Sequence, residues 1–314
     1  MSYSRCASHA GSWYEGSSAT LKSTVGALLA VVQDHKLGDE RLVGVISPHA
    51  GIRYSGGTAG HVFAAVRDYV YGPRGGALTR MFLIGPSHYK SFSGVEVCGA
   101  KEYETPFGPL SVSAQVLKQL AEEFRSAGVP VGTMTRATDE EEHSIELQLP
   151  FISHILHFPC FGGSPAKDRV QLVPLLIGGT DAAMDKAIGN VLAKYTRDPA
   201  NLFVISSDFC HWGSRFQYTY HFERSKYPAI GDAIVAMDHA GMQLLEQRNL
   251  QAWYKYLEET NNTICGRRPI TVAMAALHHH SSAAVRFVHY SQSNRCQSLS
   301  DSSVSYAGAI IMEP

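Results

Sequence analysis

The sequence lacks the features that mark several large protein classes. No cysteine pair has CxxC spacing; Cys6, Cys98, Cys160, Cys210, Cys265 and Cys296 are scattered along the chain. They read as free thiols rather than a disulfide framework, which suits a reducing compartment. Charge of neither sign is in excess: 27 basic and 28 acidic residues give a net charge of -1. A general nucleic-acid binder carries a basic surplus or basic runs, so no nucleic-acid partner is expected. No apolar run approaches the ~20 residues that cross a bilayer, and membrane insertion is not expected. The first residues, from Met1 to Tyr14, lack the apolar middle of a signal peptide, which points to the cytoplasm. GxSxG, P-loop and HExxH motifs are missing, so hydrolase, nucleotide and zincin chemistry gains no support. Linkers, repeats and low-complexity tracts are missing too. A single domain over residues 1-314 is the expected organisation.

What is there is a chain of 314 residues, 45% hydrophobic, able to bury a large core. Strand-like and helix-like stretches alternate over its whole length, which predicts a layered αβα fold. Three apolar runs share one ending. Leu42 to Ile46 leads into Ser47, Pro48 and His49. Met81 to Ile84 leads into Gly85, Pro86, Ser87 and His88. Leu202 to Ile205 leads into Ser207, Asp208, Cys210, His211 and Trp212. Open α/β sheets present their chemistry at the carboxyl ends of strands. Side by side, these runs would aim their imidazoles into one cleft.

Periodicity predicts helices over Thr20 to Gln33, Thr58 to Tyr69, Val112 to Ala127, Asp181 to Lys194, Ala229 to Glu246 and Leu250 to Glu259. Pro269 suits the first turn of another, running to Leu277. Further strands are expected at Gln171 to Ile177, Val285 to Tyr290 and Ser305 to Met312. The acidic run Asp139 to Glu142 would favour a helix N-terminus through the dipole. Phe158 to Asp168 reads as a loop, and His278 to His280 as a solvated helix end.

His49 and His88 are candidate metal ligands, since neutral imidazole is the commonest. Cys265, in a turn followed by Gly266, Arg267 and Arg268, is the candidate third ligand. The two guanidiniums would lower its thiol pKa. A His-His-Cys set prefers copper or zinc over magnesium or calcium, with iron a further option. Asp208 could orient an imidazole or bind metal, and His211 could act as general acid or base. His143 and Glu146 would share one face if their segment is helical. Trp13, Tyr54 and Trp212 would wall the cleft. Each residue also has a structural reading: loop-holding histidine, buried cysteine, capping aspartate or core aromatic.

Seven stretches together resemble the Memo family, mediators of ErbB2-driven cell motility. They are SHAGSWY (Ser8 to Tyr14), PHAG (Pro48 to Gly51), GPSH (Gly85 to His88), DEEEHSIELQLP (Asp139 to Pro150), NLFVISSDFCHWG (Asn201 to Gly213), NTICGRRPI (Asn262 to Ile270) and DSSVSYA (Asp301 to Ala307). The resemblance implies a fold similar to class III extradiol dioxygenases. It implies a copper-binding site at His49, His88 and Cys265, with His211 at the place of the dioxygenase base and Asp208 in the same pocket. It also implies a cleft for phosphotyrosine peptides, lined by Trp13 and Tyr54. Extradiol enzymes have a carboxylate where this chain has Cys265, and animal Memo proteins usually have histidine where it has Tyr89 and Arg268.

Three functions are therefore expected as alternatives. One is copper- or iron-dependent redox activity on a small substrate. The second is a non-enzymatic adaptor that binds phosphotyrosine peptides, with Arg267, Arg268 and imidazoles as anion partners. The third is an extradiol dioxygenase.

Overall fold

Apolar runs with no polar alternation must be covered on both faces when they form strands. The computed structural model, which describes residues 2–32, 40–160, 163–222 and 224–314, places such runs at the centre of its larger sheet. From the N-terminus the elements are β1 (Tyr3–Arg5), α1 (Ser18–Ala30), β2 (Arg41–Ser47), α2 (Ile52–Tyr71) and β3 (Arg80–Pro86). Then come β4 (Val95–Val97), β5 (Ala100–Tyr103), β6 (Leu110–Ser111), α3 (Ala114–Ser126), β7 (Val131–Thr133) and α4 (Arg136–Glu141). The middle holds α5 (His143–Glu146), α6 (Leu149–His157), β8 (Gln171–Ile177), α7 (Ala182–Arg197), β9 (Asn201–Ser206) and β10 (His211–Trp212). The chain ends with α8 (Ile230–Glu246), α9 (Leu250–Thr260), α10 (Arg267–Leu277), β11 (Ala284–Gln292) and β12 (Ser303–Glu313).

The larger sheet runs β10-β12-β2-β9-β3-β8-β4-β7, with β11 paired to β12; β1, β5 and β6 form a small second sheet. β2, β9, β3 and β8 are parallel neighbours. β12 closes one side antiparallel to β2, setting Ala309 opposite Ile46. Every residue of β2 and β9 is buried. Helices cover these strands: α2 packs on β2, β11 and β12, while α7 and α10 pack on β9. The mixed α/β architecture is the one expected.

Several boundaries differ from expectation. Helix α2 starts at Ile52, not Thr58, because Gly56 and Gly57 lie inside it rather than before it. A Cβ on Gly60 would come within 2.6 Å of the Leu28 carbonyl oxygen, and one on Gly56 within 2.9 Å of Leu28 Cδ1. These glycines let α1 and α2 pack closely. Helix α10 starts at Arg267, two residues before Pro269. The acidic segment forms two short helices, α4 and α5; Asp139 lies in the first turn of α4 and Glu142 caps α5, as expected, but both are buried acceptors, while Glu140 is half-buried and Glu141 exposed. Asp139 accepts from Tyr3, Arg5 and Tyr103. Of the histidine run, His280 is buried and pairs with Glu313 at 2.9 Å, so only His278 and His279 are solvated. Gln33, the expected end of the first helix, falls outside the described residues, as do Phe161 and Gly162 of the expected loop. Among the described residues no helix is long and apolar enough to cross a membrane.

Candidate metal centre

His49, His88 and Asp208 each lie two residues past the end of a strand: β2, β3 and β9 respectively. The three strands are neighbours, so the loops meet. The His49 and His88 rings are 5.1 Å apart. His143, from α5, lies 4.5 Å from the His88 ring and 5.4 Å from that of His49. Cys265 arrives from the turn before α10, with Sγ 3.1 Å from Nε2 of His49. Its sulfur also accepts the Asp208 backbone N–H at 3.3 Å. This approach requires Gly266, where a Cβ would come within 2.4 Å of the Ser206 carbonyl oxygen.

The hydrogen bonds fix which ring nitrogens are bare. Ser206 Oγ donates to the Ser144 carbonyl at 2.6 Å and accepts from Gln148 Nε2 at 2.9 Å. Its proton is committed, so in the 2.7 Å contact with His49 it must accept, and Nδ1 of His49 carries the hydrogen. Nε2 then has its lone pair toward Cys265. Nδ1 of His88 faces Glu142 Oε1 at 3.0 Å, and the His88 backbone N–H donates to Oε2 at 2.5 Å. Burial alone would raise the Glu142 carboxyl, but the His88 ring and the His88 and Ser144 amides outweigh it and hold it at about 2. The carboxylate is ionised and can only accept, so Nδ1 of His88 donates to it and Nε2 is the nitrogen left for a ligand. Nδ1 of His211 faces the carbonyls of Phe209 and Thr263, at 3.0 and 3.2 Å, and must donate. Partners of this kind orient imidazoles at metal sites.

Burial, reinforced by neighbouring His88, lowers the His143 pKa to about 4. Burial lowers His49 well below the usual histidine range, with His88 and His143 adding to it. Both are held in the neutral, ligating form. The expectation for Cys265 is corrected: burial, then the Asp208 carboxylate, push its thiol well above the usual value. Arg267 and Arg268 do not offset this. Asp208 is itself raised by burial, although it accepts the His49 and Ala50 amides at 2.8 and 3.3 Å.

His49 belongs to two donor sets whose ligand atoms lie within 4.8 Å of one another: one with His88 and His143, the other with Asp208 and Cys265. Nitrogen, sulfur and carboxylate donors in one place fit copper, zinc or iron better than magnesium or calcium. His49 is the shared member, joining His88 to Cys265.

Above these residues opens a cleft of about 750 Å³, lined by Trp13, Tyr54, Arg53, His211 and Arg215 among others. Trp13 lies against His143, with ring centroids 4.6 Å apart, and Tyr54 is exposed at the rim. Two expected members are elsewhere. Trp212 is fully buried, its Nε1 donating to the Tyr220 carbonyl at 3.0 Å, so it is core and not wall. Arg267 lies in a neighbouring hollow with Arg268. Glu146 does not pair with His143. It is buried and accepts from His9, Tyr14 and Arg5, tying the N-terminal loop that carries Trp13 to α5. Glu142, Ser144, Gln148 and Ser206 support the site from inside two of the stretches that resemble the Memo family, but were not singled out there as site residues. Their signal in the sequence is a polar residue at a position that neighbouring apolar residues mark as buried.

A sequence profile described as "Memo-like protein" matches residues 5–310. The chain is 38% identical to "Protein memo-1 homolog" of Caenorhabditis elegans, covering 98% of this chain and 83% of that one. It is 37% identical to "Protein MEMO1" of Xenopus laevis and 34% identical to that of Homo sapiens, covering 98% of this chain and 97% of each relative. An uncharacterized Escherichia coli protein of known structure shares the fold, with a TM-score of 0.50, 15% identity, and coverage of 83% of this chain and 98% of the other. With the profile match spanning almost the whole length and these relatives matched nearly end to end, this chain belongs to the Memo-like protein family.

Proposed function

We propose that this protein is a metal-dependent redox protein of the cytoplasm, acting in motility signalling of the Memo type. His49, His88 and Cys265 hold copper in this reading, with iron or zinc as alternatives. The observation that carries it is the bare Nε2 of His49, fixed by Ser206 and 3.1 Å from the Cys265 sulfur. A resident copper or iron ion would supply one-electron chemistry toward a small substrate such as dioxygen or superoxide. The residues around it have separate tasks. Glu142 and Ser206 hold the ligating rings in one tautomer. Asp208 fixes the His49 loop through two amides. His211, anchored at Nδ1, offers Nε2 to take or return a proton in the cleft. Six unpaired cysteines support a reducing setting.

The test is metal analysis of protein purified without chelator, and again after reconstitution. Close to one equivalent of copper, iron or zinc per chain is expected. No bound metal in either sample would overturn the reading.

A second reading is favoured by the cleft mouth, where Trp13 and Tyr54 stand with Arg53 and Arg215. An aromatic ring bearing a phosphate would find stacking surfaces and cations there, as a phosphotyrosine peptide requires. Trp13→Ala should weaken phosphopeptide binding about tenfold, since the indole is the main stacking surface for the ring. Equal binding of phosphorylated and unphosphorylated peptide would exclude this reading. Ring-cleaving dioxygenase activity is a third; oxygen uptake by iron-loaded protein with a catechol panel decides it.

A further inference from the structure

His88 and Cys265 also line a second hollow of about 500 Å³, shared with Lys90, Ser91, Arg267 and Arg268 and lined by no acidic residue. Its charges are poorly compensated. Lys90 is paired with Glu96. Among the described residues the Arg267 side chain donates only to the Ile264 carbonyl of its own turn, at 3.4 Å. Arg268 has no hydrogen bond or ion pair among the described residues. The carboxylate that it senses, on Asp185, forms no ion pair with it; Oδ2 accepts from the Tyr254 hydroxyl at 2.8 Å, and Oδ1 is buried without a hydrogen-bond partner among the described residues. The two guanidiniums, on successive residues, line the same hollow. Crowded, partly buried cations without a counterion are unfavourable, and an anion between them removes the penalty.

The backbone points the same way. Arg267 and Arg268 are the first two residues of α10, an 11-residue helix, and Pro269 follows with no N–H to offer. The Arg267 amide is taken by the Ile264 carbonyl, while the Arg268 amide meets no acceptor among the described residues. A helix N-terminus favours negative charge, and here it coincides with two guanidinium forks.

We propose that this hollow is a binding site for a small dianionic oxyanion of the phosphate class, held by Arg267 and Arg268 beside the metal centre. Two forks and a free amide match the several acceptor oxygens of a phosphoryl group better than the two of a monocarboxylate. The site is separate from the Trp13 and Tyr54 cleft and needs no bound metal, so its test is independent of the redox reading.

The experiment is isothermal titration of the full-length, metal-stripped protein at low ionic strength with inorganic phosphate, phenyl phosphate and acetate. Phosphate should bind below about 1 mM, with Arg267→Gln and Arg268→Gln each weakening it about fivefold or more. Arg267→Lys and Arg268→Lys should retain part of the affinity, and circular dichroism checks that each variant folds. The surface variant Lys186→Gln, in a different hollow, should bind as the parent does. Saturating phosphate should slow iodoacetamide labelling of Cys265 but not of Cys6, which localises the ligand. Tighter binding of phenyl phosphate would identify a phosphate ester as the occupant, and its exclusion would identify free phosphate; either supports the site. Equal phosphate affinity in the parent and the Arg267→Gln/Arg268→Gln double variant overturns it. So do acetate binding that matches phosphate and Cys265 labelling indifferent to phosphate.

Discussion

Sγ of Cys265 lies 3.1 Å from Nε2 of His49, and the nitrogen has no hydrogen of its own to offer. The thiol is therefore the donor, and one proton occupies the line between two ligand atoms. An ion bound by both must displace it.

Metal affinity should consequently rise with pH. The thiol pKa is raised above its ordinary value, so the proton is still bound throughout the neutral range. His49 and His143 are lowered and already neutral there. Between pH 6 and pH 8 the apparent affinity for zinc should climb about tenfold per pH unit, from this single proton. Competition with a chelator at three pH values measures the slope. In Cys265→Ser the affinity should collapse.

Removing the groups that fix the rings should weaken the centre without touching a ligand. Ser206→Ala leaves Nδ1 of His49 without its acceptor, and Glu142→Gln replaces an ionised acceptor of His88 with a neutral amide. Each should lower metal affinity about 10- to 100-fold, the range for such supporting partners. Inductively coupled plasma analysis of dialysed samples reads the loss directly.

Glu142 also links stability to acid. Its folded pKa, about 2, lies below the ordinary 4.5. Its contribution is thus complete above pH 4.5 and disappears as pH falls through 2. The displacement corresponds to about 3 kcal/mol, an order-of-magnitude figure for a mostly buried group. Urea unfolding at pH 5 and pH 3 should show the parent losing stability, with Glu142→Gln losing less over the same interval.

Two nearby helical glycines should respond in opposite directions. A Cβ on Gly57 meets nothing within 4 Å, so Gly57→Ala should stabilise α2 by up to about 1 kcal/mol. At Gly60 the new methyl would press on the Leu28 carbonyl, and Gly60→Ala should destabilise by about 1–3 kcal/mol despite better helix propensity. Thermal melts of both variants check the sign.

The strands and their histidine endings are legible in the sequence because buried parallel strands need unbroken apolar runs, and these end where the chemistry begins. The start of α2 is hidden because Gly56 and Gly57 look like breakers until Leu28 is seen packed against Gly56. The roles of Glu142 and Glu146 cannot be read from spacing. Each faces a residue far away in sequence, His88 or the Arg5 to Tyr14 segment, which only the tertiary fold brings near. Arg267 lines a different hollow from the one expected because adjacency to Cys265 in the chain does not say which side of the sulfur a long side chain takes.

Gly266 carries a mechanical consequence. Its bare α-carbon nests against the end of β9, so the sulfur-bearing turn and the strand leading to Asp208 travel as one body. The turn cannot lift away from the strand like a gate, and His88 stands between the two hollows that open onto the centre.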